Sequence, residues 1–273
     1  MLEGVLTKSL IGLIPRTATE VRLGRGRPLS YQTTFGRKKT DYIVTDGEFE
    51  EVLTRVTEHS LYAITEKLVN GYLPLKGGVR VGVAGEGVLD KEKVKTVKHI
   101  TSLVIRIPHQ IDGAANFLGI NGNFEQNLLI VSPPAAGKTT LLREIARALS
   151  DVGRNVVILD ERGEISGVNE GRFALKIGTN SDVLFGFPKQ LAYENALRAL
   201  NPEYIITDEL SGEKDVQGVL RAYYGGVKVV ATLHGGDENV FHGVFEPLKI
   251  VFDHIVVLSR FPRVGTVKKE VIL

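Results

Sequence analysis

The sequence has no cysteine, no tryptophan and a single methionine, and aromatic residues make up only 7% of it. Without cysteine there is no disulfide framework, no thiolate zinc site and no thiol nucleophile. Long apolar stretches are also missing. Runs such as Leu128–Val131 and Val156–Leu159 are far shorter than the roughly 20 residues a membrane-spanning helix needs. The opening MLEGVLTKSLIGLIP is amphipathic and carries Glu3 and Lys8 inside its apolar stretch, unlike a secretory signal. A soluble, cytoplasmic protein is therefore expected. Neither sign of charge dominates: 34 Lys and Arg stand against 32 Asp and Glu, and 24% of residues are charged, which excludes a disordered polyelectrolyte.

What is present is a chain of 273 residues with 30 glycines. At roughly 100–200 residues per domain this is one large domain or two modest ones. Residues 1–40 hold eight Lys and Arg against Glu3 and Glu20, a net of +6. Such a stretch suits nucleic acid, anionic lipid or an acidic neighbouring subunit, and equally a solvated strand surface. From Thr19 to Pro108 the pattern is short and strand-like, at Val21–Leu23, Ile43-Val44, Val79–Val83 and Leu103–Ile107. Gly77-Gly78 and Gly85-Glu86-Gly87 bracket the third of these as hairpin turns would. One helix is predicted over Glu48–Asn70, with Val52, Val56, His59, Ala63 and Val69 near a common face. The expectation is a small α+β domain over residues 1–110, with Ile111-Asp112-Gly113 as the junction.

Residues 111–273 change character. Apolar strands at Leu128–Val131, Val156–Leu159, Tyr204–Thr207, Val227–Thr232 and Ile255–Leu258 alternate with helices at Thr139–Ser150, Lys189–Leu200 and Glu213–Tyr224. That alternation predicts an α/β fold with a mostly parallel sheet covered on both faces. The tail Val264–Leu273 reads as an edge strand, and the Lys-rich run 91–98 as an exposed hairpin arm.

The first of these strands leads into Ser132-Pro133-Pro134-Ala135-Ala136-Gly137-Lys138-Thr139-Thr140. This matches the phosphate-loop pattern G-x-x-x-x-G-K-[ST] at every position but the first, where Ser132 replaces glycine. The substitution leaves the chemistry intact, because phosphate is held by backbone N–H groups, the lysine and the helix N-terminus. Lys138 is expected to reach the β- and γ-phosphates of ATP, Thr139 to ligate Mg²⁺, and the N–H groups of Gly137 to Thr140 to bind phosphate oxygens. Two later strands end in acidic pairs, Asp160-Glu161 and Asp208-Glu209. The second is taken as the Walker B pair because a strand and helix intervene between it and the loop. Asp208 would hold Mg²⁺ through water and Glu209 would polarise the attacking water. Glu161 is then a second carboxylate at the same sheet edge, unless Asp160-Glu161 only caps a turn. His234, after the fourth strand, is placed to sense the γ-phosphate or to serve the fold alone.

These residues resemble the stage III sporulation protein AA family, relatives of the type II and type IV secretion ATPases. The likeness covers nearly the whole chain. It includes Glu20-Val21-Arg22-Leu23 with Arg27-Pro28-Leu29, and Asn70-Gly71-Tyr72 leading to Lys76-Gly77-Gly78-Val79-Arg80-Val81-Gly82. Ser102–Ile107, the loop Ser132–Thr140, Leu159-Asp160-Glu161-Arg162-Gly163-Glu164-Ile165 and the Walker B strand complete it. The resemblance implies a RecA-like ATPase core behind a secretion-ATPase-like N-terminal domain, working as a homohexamer beneath a membrane channel or secretion-like complex in the mother cell of a spore former. It sets Glu161 in an acidic box and His234 in a histidine box, and makes Arg80 and Arg106, with Arg22 behind them, the arginines that complete the site. The alternatives are an ATP-binding assembly platform and a nucleic-acid translocase. Against the latter, the chain has no helix-turn-helix signal and no aromatic-rich binding strand, so nucleic acid is not the expected partner. Leu210-Ser211-Gly212-Glu213 echoes the transporter-ATPase signature but follows the Walker B strand instead of preceding it.

Overall fold

In the computed structural model, residues 2–57, 72–90, 93–168 and 171–273 are described. They form two compact units: Met1–His109 with Gly167–Ala174, and Gln110–Ser166 with Leu175–Leu273. Among the described residues no helix is long and apolar enough to cross a membrane.

The first unit is a six-stranded sheet with short helices. Its strands are β1 (Glu20–Gly24), β2 (Pro28–Thr33), β3 (Gly36–Ile43), β4 (Tyr72–Pro74), β5 (Arg80–Asp90) and β6 (Lys93–Arg106), ordered β3-β2-β1-β6-β5-β4. The short helix α1 (Lys8–Ile11) precedes them, and α2 (Asp46–Val56) follows β3. Strand alternation sends Val21, Leu23, Leu29, Val81, Leu103 and Ile105 into one core with Phe49, Val52 and Val56 of α2. On the other face Glu20 meets Arg22 at 2.6 Å, Arg37 at 3.5 Å and Arg106 at 3.9 Å.

Two local readings need correction. The helix predicted from Glu48 begins at Asp46, because Thr45 and Glu48 form a reciprocal capping box, and Thr57 is its C-cap. The predicted continuation to Asn70, with His59, Ala63 and Val69, lies outside the described residues. Gly85-Glu86-Gly87 is no turn. It lies inside β5, at an irregularity in the β5–β6 register between Ala84 and Glu86. There a Cβ on Gly85 would come within 2.7 Å of the Lys98 carbonyl, so the glycine serves a close backbone approach within the ladder. The turn at Gly77-Gly78 is real, and both residues have positive φ.

The second unit is a seven-stranded sheet of β7 (Leu128–Ser132), β8 (Val156–Asp160), β9 (Ser181–Phe185), β10 (Tyr204–Glu209), β11 (Lys228–His234), β12 (His254–Ser259) and β13 (Thr266–Ile272). The order is β13-β12-β7-β11-β10-β8-β9, with every pairing parallel except the antiparallel edge β12–β13. All five residues of β7 are buried, as a central strand covered on both faces requires. Its alternate residues serve two cores. Leu128 and Ile130 pack with Leu141, Leu142, Ile145 and Leu149 of α3 (Lys138–Asp151). Leu129 and Val131 share the opposite core with Tyr193 of α4 (Lys189–Asn195) and Val216 and Val219 of α5 (Glu213–Tyr224).

The contact of α4 with α5 depends on one glycine. A Cβ on Gly218 would lie 2.3 Å from Cδ2 of Tyr193, whose ring is 1% exposed and cannot swing away. In an open helix, Gly→Ala gains roughly 1 kcal/mol of propensity. Overpacking a closed core costs roughly 1–3 kcal/mol or more, so the clash should win. Gly218→Ala is therefore expected to lower the urea midpoint of unfolding, and an unchanged or raised midpoint would refute this packing.

Candidate functional site

A phosphate loop must turn its N–H groups inward between a strand and a helix. Here the loop leaves β7 at Ser132 and enters α3 at Lys138. It makes that turn with two positive-φ residues, Ala135 at 57° and Gly137 at 96°. At Gly137 it is this backbone conformation that calls for glycine, since a Cβ would lie 3.4 Å from Cα of Gly265, an ordinary van der Waals contact. Ser132, where the pattern has glycine, is fully buried as the last residue of β7, and its hydroxyl donates to the Pro133 carbonyl at 2.9 Å. Pro134 and Ala135 form the exposed crown, Ala136 is buried beneath it, and Thr139 and Thr140 are half-buried in the first turn of α3.

The parallel register brings the other predicted groups to the same edge. His234 pairs with Ser132 at the end of β11. The Lys138 ammonium lies 2.9 Å from Nδ1 of His234 and donates to the Ser132 carbonyl at 3.3 Å. Nε2 of His234 is 2.9 Å from Oε2 of Glu209, at the end of β10. An ammonium can only donate, so Nδ1 accepts from Lys138 and the Nε2–H donates to Glu209. Lys138, His234 and Glu209 therefore form one hydrogen-bonded chain. Burial lowers the Lys138 pKa, while the carboxylates of Glu209 and Glu164 oppose that shift.

Asp208 is largely buried. Burial pushes its carboxyl up to about 6, against the pull of Lys189 and with the charges of Asp160 and Glu161 adding to the rise. The Lys189 ammonium, itself almost enclosed, lies 2.9 Å from Oδ1 of Asp208 and 3.8 Å from Asp215, and donates to the Glu209 carbonyl. This lysine had no signal in the sequence, because its partners lie 19 to 26 positions downstream. Asp215 in turn accepts from the Ser211 N–H at 2.6 Å and its hydroxyl at 2.9 Å. That closes the turn between β10 and α5, and it accounts for the Leu210-Ser211-Gly212-Glu213 segment.

The two residues of the Asp160-Glu161 pair do different work. Asp160 is fully buried and accepts from the N–H groups of Glu164 at 2.9 Å, Ile165 at 3.2 Å and Ser166 at 2.9 Å, and from the Ser166 hydroxyl at 2.7 Å. Arg143 of α3 fastens the same loop, donating to the carbonyls of Ile165 and Glu164 at 2.6 Å each. Burial lowers the Arg143 guanidinium to about 10, with Asp160, Glu164 and Glu144 opposing. Glu161 is left exposed beside this loop, close enough for its charge to act on Asp208. Glu164 is, after Glu209, the second carboxylate whose charge acts on Lys138, a role that sequence spacing does not single out.

Arg80 and Arg106 belong to the first unit, opposite each other in the β5–β6 ladder. The Arg80 guanidinium is buried 4.4 Å from the centre of the Tyr72 ring. The Arg106 side chain is 66% exposed, with Glu20 3.9 Å away.

The residues of the second unit fit a magnesium–triphosphate. A backbone cradle with two positive-φ positions ends at a lysine whose ammonium is already turned to the sheet edge. A buried carboxylate and the Thr139 hydroxyl are both hard oxygen ligands of the kind Mg²⁺ takes.

Comparison with known proteins agrees in fold and family. The family model described as "Sporulation stage III, protein AA" matches residues 6–270. The stage III sporulation protein AA of Bacillus subtilis (strain 168) is 35% identical over 223 residues, covering 79% of this chain and 73% of that protein. Among solved structures, the Legionella pneumophila ATPase DotB is 16% identical, with 92% of this chain and 73% of that chain covered at a TM-score of 0.57. The pilus retraction motor PilT, solved with bound ADP, is 17% identical, with 96% and 79% covered at a TM-score of 0.60. At these identities the likeness to the solved structures is one of fold: α/β, with the P-loop core of secretion and motor ATPases.

Proposed function

The chain belongs to the Sporulation stage III, protein AA family, and from that premise we propose that it is a Mg²⁺-dependent ATP hydrolase working as a homohexameric motor. It would act at a membrane-embedded channel or secretion-like complex of the sporulation machinery, from the cytoplasmic side in the mother cell. The observation that carries the catalytic part is the chain Lys138–His234–Glu209, with Asp208 next to it, at the carboxyl ends of the adjacent strands β7, β11 and β10.

In this reading the N–H groups of Gly137, Lys138, Thr139 and Thr140 hold phosphate oxygens, and Lys138 exchanges His234 for the β- and γ-phosphates. Mg²⁺, which neutralises charge developing on those phosphates, would be held by Thr139 and Asp208. Lys189 keeps Asp208 ionised despite its burial. Glu209 orients and polarises the attacking water, while His234 reports to it whether Lys138 is engaged. Glu161 and Glu164 supply the remaining negative field. Arg106, exposed and loosely tethered, is better suited than Arg80 to reach the γ-phosphate of a neighbouring copy. Arg80, held over Tyr72, would support the strand from which Arg106 projects.

A shared site makes turnover depend on assembly. Specific activity measured against protein concentration, with molar mass followed by light scattering, should rise as larger species form. Arg106→Ala should cut turnover by about 10³-fold, by analogy with other trans-acting arginines, while ATP affinity and mass stay unchanged. Full activity of a monomer, insensitive to concentration and to Arg106→Ala, would sink the shared site. ATP binding without turnover at any mass would favour an assembly platform.

A further inference from the structure

Sheet order sets what stands on either side of the phosphate loop. Glu209 and His234 stand on β10 and β11, to one side of the phosphate loop. β12 flanks β7 on the other side, with β13 beyond it. For a nucleotide lying along this edge with its terminal phosphate towards Glu209, the nucleoside points to the β12–β13 side. That side is occupied by the connection Arg260–Gly265. It touches the phosphate loop directly: the Gly265 N–H donates to the Ala136 carbonyl at 3.1 Å, and a Cβ on Gly137 would meet Val264 at 3.5 Å. The same short connection holds Phe261, which is 80% exposed. A phenylalanine in water forfeits the gain of burying a large apolar surface, and a flat aromatic face is what a nucleobase stacks on.

We propose that the β12–β13 connection is the base-side wall of the nucleotide site and that Phe261 is the platform on which the purine ring stacks. The inference rests on the phosphate loop being a nucleotide site, and it adds a base-recognition residue to it. The contact of Gly265 with Ala136 makes loop and wall one piece, so phosphate and base are positioned together.

The test compares ATP with inorganic tripolyphosphate, which has the phosphates and no base, by equilibrium binding to the full chain. Stacking on one aromatic ring accounts for roughly tenfold in affinity or more. Phe261→Ala should weaken ATP by about that factor and leave tripolyphosphate unchanged, and Phe261→Trp should keep ATP affinity. Equal ATP affinity in wild type and Phe261→Ala would overturn the proposal. So would a parallel loss of tripolyphosphate, which means a disturbed phosphate loop, or a change in molar mass alone, which means that Phe261 seats a second copy. Failure of the wild type to bind either compound, or of Lys138→Ala to weaken both, refutes the nucleotide site itself and is a separate result.

Discussion

Replacing Glu209 by Gln is expected to lower ATP turnover by about two to four orders of magnitude while nucleotide affinity changes by no more than a few-fold. The substitution is nearly isosteric. The amide oxygen can still accept from Nε2 of His234, which now lies 2.9 Å from Oε2 of Glu209. The chain through His234 to Lys138 is therefore kept, and only the negative charge that polarises water is removed. Lys138→Ala acts on the other end. It removes the ammonium that meets the phosphates, so affinity itself should fall by about ten- to a hundredfold, as expected for a charged hydrogen-bond donor. Single-turnover rates at saturating ATP, alongside equilibrium binding, separate the two effects. Should Glu209→Gln turn over normally while Glu164→Gln does not, the base is the carboxylate on the loop after β8. The Walker B assignment would then be reduced to metal binding.

The parts of this site that could be read in the sequence are those in which chemistry and chain order coincide. Ser132 to Thr140 is one continuous loop between a buried strand and an amphipathic helix, so the residue pattern and the structure carry the same information. The acidic pairs at the ends of β8 and β10 could be found because strand ends in parallel sheets share one edge. What was not legible depends on partners far along the chain. Lys189 takes its meaning from Asp208 and Asp215, and Arg143 from the carbonyls of Glu164 and Ile165. The wall at Gly265 lies 129 positions beyond the Ala136 carbonyl it binds. The strands with little or no sequence signal have their own cause. β3 is signalled only at its end, by Ile43, because it is an edge strand whose Arg37, Lys38 and Lys39 are exposed and look like a basic tract. β9 lies at the other sheet's edge with no fully buried residue, and so lacks the apolar run that marked its neighbours. Gly85 read as a turn because a glycine needed for close backbone approach inside a ladder looks the same as one needed for a reversal.

Asp160→Ala should be the most destabilising carboxylate substitution at this edge, lowering stability by roughly 3–6 kcal/mol. Its neighbour Glu161→Ala should stay within about 0.5 kcal/mol of wild type. The two residues are adjacent and chemically alike, so the difference comes only from where the chain puts them. The Asp160 carboxylate is fully buried and satisfies three backbone N–H groups and the Ser166 hydroxyl. Two of those N–H groups, on Ile165 and Ser166, belong to fully buried residues. Each buried donor left without a partner costs roughly 1–3 kcal/mol, and the whole fold has a margin of only about 5–15 kcal/mol. Asp160→Asn should fall between, since one amide oxygen still accepts while the amide nitrogen faces N–H groups. Urea denaturation of the three variants gives the order directly. An effect on function should follow from the same contacts. The loop that Asp160 folds sets Glu164 where its charge reaches Lys138 and leaves Glu161 beside Asp208. Asp160→Asn should therefore lose turnover at temperatures where it remains folded, although Asp160 has every lone pair committed to the loop and none to a nucleotide. If Glu161→Ala unfolds more readily than Asp160→Ala, the division of labour within this pair is the reverse of the one drawn from these hydrogen bonds.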